Sequence, residues 1–222
     1  MATYVLVPGG GWGGFIWRPV VGRLRAAGHA VFTATLTGLG ERVHLASPSI
    51  DLDTHIQDIV NLLEYEGLER VILVGHSYGG MVTTGVAERV PERLAHLVYL
   101  DAIVPRDGQA AVDLLDPQVA RELAELARTD RDGWRLPLPA DAPKGMTAHP
   151  WPPMTQPLVV KNAAAAVLPR TYILCTEPAI ENNRQFAARA QAEGWHYREL
   201  PTGHMAMLTL PDALTDLLLE VA

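Results

Sequence analysis

The sequence predicts an α/β fold in which a mostly parallel central sheet is flanked by helices. Short, unbroken runs of branched apolar residues are typical of strands buried on both faces of a parallel sheet, and here they alternate with longer segments of helical periodicity. Two of these runs end in glycine-rich turns that lead into helical segments. At 222 residues the chain fits a single domain, residues 1–222, that can bury a full core without disulfides.

Strands and helices alternate along the predicted core. Apolar residues at helical spacing before Gly67 predict the crossover helix that leads to strand 71–74. The predicted elements before residue 101 are, in order, strand 3–7, helix 17–27, strand 30–34, helix 52–66, strand 71–74, helix 81–90 and strand 94–100. After residue 169 they are strand 170–175, helix 183–193, strand 195–200 and helix 212–221.

Ser77 lies in the turn between a buried strand and a helix. The pattern Gly75-x-Ser77-x-Gly79 leaves little side-chain bulk around the serine, so the backbone can turn sharply and hold it in a strained conformation. Strand, turn and helix occur in the order of a nucleophile elbow. We therefore predict that Ser77 is a nucleophile and that the N–H of Tyr78, at the start of the helix, stabilises an oxyanion.

The glycine-rich loop after the first strand admits two interpretations. Its glycines follow the spacing G-x-G-x-x-G from Gly9, as in dinucleotide-binding folds. Those folds need an acidic residue at the end of the next strand to bind the ribose, but the first acidic residue after the loop, Glu41, lies farther along the chain in another turn. The other interpretation makes the loop the second half of the oxyanion hole, with Gly10 as donor and Gly11 as the near alternative. Trp12 and Gly11 are then candidates for the substrate pocket.

Residues 104–169 interrupt the alternation between two core strands. One or two helices are predicted within residues 112–128, and prolines crowd residues 134–157. Because long structured excursions from compact domains tend to be functional lids, we predict that this insertion is a cap over the edge of the sheet where Ser77 lies. Such a cap would select the substrate.

A serine hydroxyl needs a base, and the base needs an acid to orient it. Of eight histidines, only His204 follows the last strand and precedes the terminal helix, where this architecture places its base. Two acids follow core strands: Asp101 ends strand 94–100, and Glu177 comes just after strand 170–175. Since parallel strands present their carboxyl ends at one edge of the sheet, either acid can reach His204.

The composition argues against several classes of function. Lys and Arg total 18 against 25 Asp and Glu, and a net charge of −7 offers no positive field for nucleic acid or anionic lipid. No spacing of His, Cys or acidic residues matches a metal site, and Cys175 has no second cysteine to pair with. No apolar segment is long enough to span a bilayer. We expect a cytoplasmic monomer or homodimer with no metal, cofactor, nucleic-acid or membrane partner.

Together these motifs resemble the α/β-hydrolase superfamily, and within it the plant methylesterase and hydroxynitrile lyase group with its bacterial esterase relatives. The segments that carry the resemblance are, in order, 4–10, 27–29, 71–80, 172–177 and 203–208. The resemblance implies an α/β-hydrolase fold, with Ser77 as nucleophile, His204 as base and the amides of Gly10 and Tyr78 as oxyanion donors.

The sequence departs from that group at three places. Pro8 replaces the usual histidine at the start of the first glycine loop. Gly9 and Met205 stand where the lyases use threonine and lysine, which disfavours cyanohydrin cleavage. Pro178 stands where plant relatives carry an aspartate, so we favour Asp101 over Glu177 as the acid.

The sequence therefore predicts a serine hydrolase that cleaves a carboxylic ester through an acyl-enzyme on Ser77. The apolar content near the proposed pocket favours a small to medium hydrophobic or aromatic substrate. Two alternatives remain open. The same scaffold can act as a non-hydrolytic cyclase or lyase, or as a small-molecule binding protein with a degenerate triad.

Overall fold

Six of eight strands form one parallel sheet in the computed structural model, which describes residues 1–222. The strands are β1 (Thr3–Val7), β2 (Ala30–Thr33), β3 (Val71–His76), β4 (Leu94–Leu100), β5 (Arg135–Leu136), β6 (His149–Pro150), β7 (Arg170–Cys175) and β8 (His196–Leu200). The sheet order is β2-β1-β3-β4-β7-β8 with every pairing parallel, and β5 and β6 form a separate antiparallel pair. The predicted α/β fold is confirmed.

Helices cover both faces of the sheet. The α-helices are α1 (Arg18–Ala26), α2 (Leu52–Tyr65), α3 (Gly79–Arg89), α4 (Pro117–Thr129), α5 (Pro152–Thr155), α6 (Ala163–Ala166), α7 (Arg184–Ala192), α8 (Ala206–Thr209) and α9 (Pro211–Leu219). Residues of α2, α3 and α7 join the apolar cluster on one face, and residues of α1 and α9 join the cluster on the other. None of the helices combines the length and the apolar character needed to cross a membrane.

Strand β3 shows why the core strands are apolar without alternation. All six of its residues are buried. Val71 and Leu73 belong to the cluster packed against α2, α3 and α7, whereas Ile72 and Val74 belong to the cluster packed against α1 and α9. Because successive side chains point to opposite faces, a strand covered on both sides needs apolar residues at every position.

Residues 101–169 run outside the sheet between β4 and β7 and contain the helices α4 to α6 and the β5–β6 pair. Asp116 caps the start of α4 with its side chain. Glu88 of α3 accepts the backbone N–H groups of Lys161 and Asn162, each at 2.7 Å. These bonds fasten the end of the insertion to the core.

Gly80 lets the start of α3 approach the turn that follows β4. A Cβ atom at this position would overlap the carbonyl oxygen of Ile103 and would lie 3.0 Å from the Cβ of Ala102. The N–H of Ile103 also donates to the carbonyl of Ser77 at 3.2 Å. The close packing of these two turns therefore requires a residue without a side chain.

Substituting Gly80 and Gly22 by alanine should change the free energy of unfolding in opposite directions. Gly80→Ala forces backbone segments apart, and overpacking of this kind costs about 3 kcal/mol. Gly22 is exposed in α1 with no atom near its Cβ position, so Gly22→Ala should stabilise the protein by about 0.5–1 kcal/mol. Urea unfolding measures both changes, and wild-type stability of Gly80→Ala would contradict the close approach.

Candidate active site

Ser77 lies between β3 and α3 with a left-handed backbone. Its φ of 54° is one that residues with a side chain adopt at a cost of about 1–3 kcal/mol. Hydrogen bonds hold this conformation: the Ser77 N–H donates to Leu100 at 3.2 Å, and the Ser77 carbonyl accepts from Gly80 at 3.0 Å and Ile103 at 3.2 Å. The serine is thereby presented at the carboxyl edge of the sheet.

Asp101 follows β4, the strand next to β3 in the sheet. It is 1% exposed, and its φ of 44° is also left-handed. Its N–H donates to Ile173 at 2.7 Å, and its backbone carbonyl accepts from the side-chain amide of Asn183 at 2.9 Å. Its Oδ1 accepts the N–H of Cys175 at 3.4 Å. The surrounding strand ends thus hold a buried carboxylate in one orientation.

His204 lies in the loop between β8 and α8 and meets Asp101 at the edge of the sheet. Its Nδ1 is 2.6 Å from Asp101 Oδ2, which is a short hydrogen bond between residues 103 positions apart in the chain. The His204 side chain is 27% exposed and that of Asp101 is fully buried. Because Nδ1 donates to the acid, Nε2 is the ring nitrogen left to accept a proton.

His76 holds the backbone of His204. Its Nε2 lies 2.9 Å from the carbonyl oxygen of His204, and the two ring centroids are 4.4 Å apart. A carbonyl oxygen only accepts, so Nε2 carries the proton. Burial, followed by the nearby His204, holds the pKa of His76 well below its ordinary value. No role for His76 was predicted from the sequence, although its place directly before Ser77 is a signal for one.

Glu177, the other candidate acid, is not brought to His204. It is exposed beyond the end of β7, and its backbone N–H donates to Thr202 at 3.0 Å. The Nδ1 of His204 bonds to Asp101 instead. This placement favours Asp101 as the acid.

Two backbone amides beside Ser77 are free to bind an oxyanion. The N–H groups of Gly10 and Tyr78 donate to no acceptor within the protein, and both residues line the same cavity as Ser77. Gly11, the other candidate in the loop, donates its N–H to His149 Nδ1 at 3.2 Å. Gly10 is therefore the loop residue whose amide is available to an oxyanion.

A cavity of about 290 Å³ lies against Ser77, and the insertion forms most of its wall. The apolar residues of that wall are Leu123, Leu126, Leu136, Pro137, Leu138, Pro139, Met146 and Met154. Thr147 and His149 add polar atoms from the same insertion. No group of three or more His, Cys, Asp or Glu side chains is arranged to hold a metal ion.

Trp12 lies outside this cavity, whereas Gly11 lines it. Trp12 was predicted from the sequence as a residue of the substrate pocket, and this prediction differs from its position in the structure. The left-handed Gly11, with a φ of 77°, completes a turn in which the N–H of Trp12 donates to Gly9 at 3.3 Å. The indole packs edge-on against Phe15, with the ring centroids 6.1 Å apart.

The buried rings of His55, Tyr78 and His149 pack against one another. His55 Nε2 lies 3.0 Å from the carbonyl of Thr37, so Nε2 carries the proton and Nδ1 accepts the hydroxyl of Tyr78 at 2.9 Å. The ring of His149 packs against that of Tyr78, with centroids 4.8 Å apart. Burial lowers the pKa of His55, and burial followed by the neighbouring His55 lowers the pKa of His149 to about 3. His149 was not predicted from the sequence, because an isolated histidine in a proline-rich segment carries no pattern.

Comparison with known proteins places these features in a family. The family model described as "Alpha/beta hydrolase family" matches residues 4–217. A "Carbendazim hydrolyzing esterase" of Nocardioides sp. (strain SG-4G) is 36% identical over 241 aligned positions, covering 97% of this chain and 98% of that protein. "Putative methylesterase 14, chloroplastic" of Arabidopsis thaliana is 32% identical over 117 positions, which are 52% of this chain and 34% of that protein.

Solved structures share the fold over the whole chain. An extracellular alpha/beta-hydrolase from a Paenibacillus species superimposes with a TM-score of 0.87 at 22% identity, covering 100% of this chain and 99% of that one. A pyrethroid hydrolase from Sphingobium faniae JZ-2 gives a TM-score of 0.78 at 22% identity, covering 99% and 96%. At this level of identity the likeness concerns the fold alone.

Asp101→Asn should slow the reaction of Ser77 with a fluorophosphonate far more than Glu177→Gln does. Asparagine keeps the shape of Asp101 but favours the wrong histidine tautomer and cannot stabilise the imidazolium, and in a serine triad this change costs on the order of 10⁴-fold in turnover. Glu177→Gln should react at the wild-type rate because Glu177 is exposed and the Nδ1 of His204 bonds to Asp101 instead. Mass spectrometry of the intact protein over time measures both rates. Rapid labelling of Asp101→Asn would contradict the assignment.

Acidification should destabilise the protein in part because His149 is buried in its neutral form. Its folded pKa of about 3 lies below the ordinary 6.5, so between these pH values the unfolded chain binds a proton that the folded chain does not. Above pH 6.5 the neutral ring costs almost no stability. As the pH falls from 6.5 towards 3, the free energy of unfolding decreases by about 1.4 kcal/mol per pH unit. In urea unfolding, His149→Asn should therefore lose about 2 kcal/mol less than the wild type between pH 7 and pH 5. Equal losses would argue for a histidine that is protonated in the fold.

Proposed function

We propose that this chain, which belongs to the alpha/beta hydrolase family and is an esterase-like hydrolase, cleaves a carboxylic ester through an acyl-enzyme on Ser77. The observation that carries the proposal is the 2.6 Å hydrogen bond from His204 to the buried Asp101, at the sheet edge that presents Ser77. The free amides of Gly10 and Tyr78 beside the serine support it.

In the proposed reaction the hydroxyl oxygen of Ser77 attacks the ester carbonyl while Nε2 of His204 takes its proton. Asp101 orients the imidazole and stabilises the imidazolium that forms. The oxyanion of the tetrahedral intermediate accepts hydrogen bonds from the N–H groups of Gly10 and Tyr78. Collapse of the intermediate returns the proton to the departing alcohol, and water then hydrolyses the acyl-enzyme by the same steps.

The cavity supports a small to medium hydrophobic or aromatic ester as substrate. Its volume of about 290 Å³ is at the lower end for ligand pockets. Leucine, methionine and proline side chains form most of its wall, so it favours apolar groups on the ester. Since these side chains belong to residues 104–169, we propose that the insertion is the cap that selects the substrate.

Relatives guide the choice of test compounds. The carbendazim hydrolyzing esterase aligns with this chain over nearly the full length of both proteins, so carbendazim belongs among the first compounds to test. The plant methylesterases suggest methyl esters as further test compounds, although those proteins match only about half of this chain. A binding protein with a degenerate triad is less well supported. Pro178, the residue after Glu177, cannot supply an acid, but Asp101 bonds to His204 in its place.

Ser77→Ala should abolish the turnover of a panel of p-nitrophenyl esters, methyl esters and carbendazim. Loss of the nucleophile in a serine triad costs on the order of 10⁶-fold. Ser49→Ala is the matched control, because Ser49 is exposed and bonds only to the neighbouring Ser47. Product analysis distinguishes hydrolysis from cyclase or lyase chemistry. Absence of turnover in the wild type, or undiminished turnover in Ser77→Ala, would overturn the proposal.

A further inference from the structure

The glycine loop after β1 is fastened to the insertion through Gly11. The N–H of Gly11 donates to His149 Nδ1 at 3.2 Å, and its carbonyl oxygen accepts from the N–H of Thr147 at 2.8 Å and from the Thr147 hydroxyl at 3.1 Å. The peptide groups on both sides of Gly11 are therefore held by the insertion. The N–H of the preceding residue, Gly10, remains free.

The ring of His149 also lies against both candidate oxyanion donors. It is 5% exposed, and its centroid is 4.8 Å from that of Tyr78. A Cβ atom added to Gly10 would lie 3.5 Å from His149 Nδ1. The imidazole thus packs beside Gly10 and Tyr78, which line the cavity together with Ser77. It is one of the few polar groups that the insertion supplies to this cavity.

The hydrogen bond to Gly11 determines the tautomer of His149. Its Nδ1 faces an N–H donor and is therefore unprotonated, so the single ring proton is on Nε2. Nε2 is buried and has no partner in the protein. Because burial lowers the pKa of His149 to about 3, the ring stays neutral and Nδ1 remains an acceptor near pH 7.

We propose that His149 is a positioning residue of the oxyanion hole, in which Nδ1 holds the Gly11 amide so that the N–H of Gly10 points with that of Tyr78 at the reacting oxygen. This inference rests on the function proposed above. An oxyanion hole works because its donors are fixed before charge develops, and loss of one donor costs about 10²–10³-fold in kcat. A donor that is present but poorly aimed should cost less, about 10–100-fold. The insertion then acts in the reaction as well as in selecting the substrate.

His149→Asn and His149→Gln form a matched pair that tests the position of the acceptor. Asparagine can place its carbonyl oxygen near the position of Nδ1, whereas glutamine places its polar atoms near that of Nε2. With p-nitrophenyl butyrate we expect kcat to stay within about fivefold of the wild type in His149→Asn and to fall about 10–100-fold in His149→Gln, with KM little changed in both.

Inhibition by an alkylboronic acid gives a readout that would not change if the role of His149 were purely structural. The boronate forms a tetrahedral adduct with the serine, so its inhibition constant reports on the oxyanion hole rather than on substrate binding alone. In His149→Gln this constant should rise in proportion to the loss of kcat/KM. In His149→Asn it should remain near the wild-type value, and an unchanged constant in His149→Gln would overturn the inference.

The other outcomes also decide. Equal loss of kcat in both variants, no loss in either, or loss only in His149→Asn would overturn the inference, and the last of these would point to Nε2 as a donor to the substrate. If a variant does not fold, ¹⁵N NMR of the wild-type imidazole decides: an unprotonated Nδ1 with a protected Gly11 amide supports the inference, and a protonated Nδ1 overturns it. Failure of the proposed function is recognised separately, as ester turnover that Ser77→Ala leaves undiminished.

Discussion

The short hydrogen bond between Asp101 and His204 is the interaction on which the rest of the site depends. A carboxylate that is 1% exposed is stable only when its oxygens have partners, and here they are the Nδ1 of His204 and the N–H of Cys175. The bond joins the end of β4 to the loop after β8, so it forms only once the sheet has assembled. His76 makes a second hydrogen bond to the same loop, at the carbonyl oxygen of His204.

Two strained turns support this site, and each stabilises the other. Ser77 and Asp101 both adopt left-handed backbones at the ends of the adjacent strands β3 and β4. The N–H of Ser77 bonds to Leu100, and the N–H of Ile103 bonds back to Ser77. Each such conformation costs about 1–3 kcal/mol by itself. The close approach that Gly80 permits brings the turns within hydrogen-bonding reach, and the packed sheet beneath them offsets the strain.

The insertion lies outside the sheet but lines the same cavity as Ser77. It supplies most of the apolar wall beside Ser77, and through Thr147 and His149 it holds the glycine loop that carries Gly10. The core orients Ser77 and His204, whereas the insertion forms most of the cavity wall in front of Ser77.

By itself the sequence determined the parallel sheet, the turn at Ser77 and the loop that carries His204, because buried strands and tight turns impose apolar runs and glycine spacings that are local in the chain. Both Asp101 and Glu177 follow core strands that end at one edge of the sheet, so the sequence favoured Asp101 only because Pro178 replaces the aspartate of the plant relatives. Only the tertiary structure decided between their positions, because the direction of each carboxylate depends on hydrogen bonds to distant strands. The same holds for His149, whose contact with Gly11 joins residues 138 positions apart and leaves no periodic trace in the sequence.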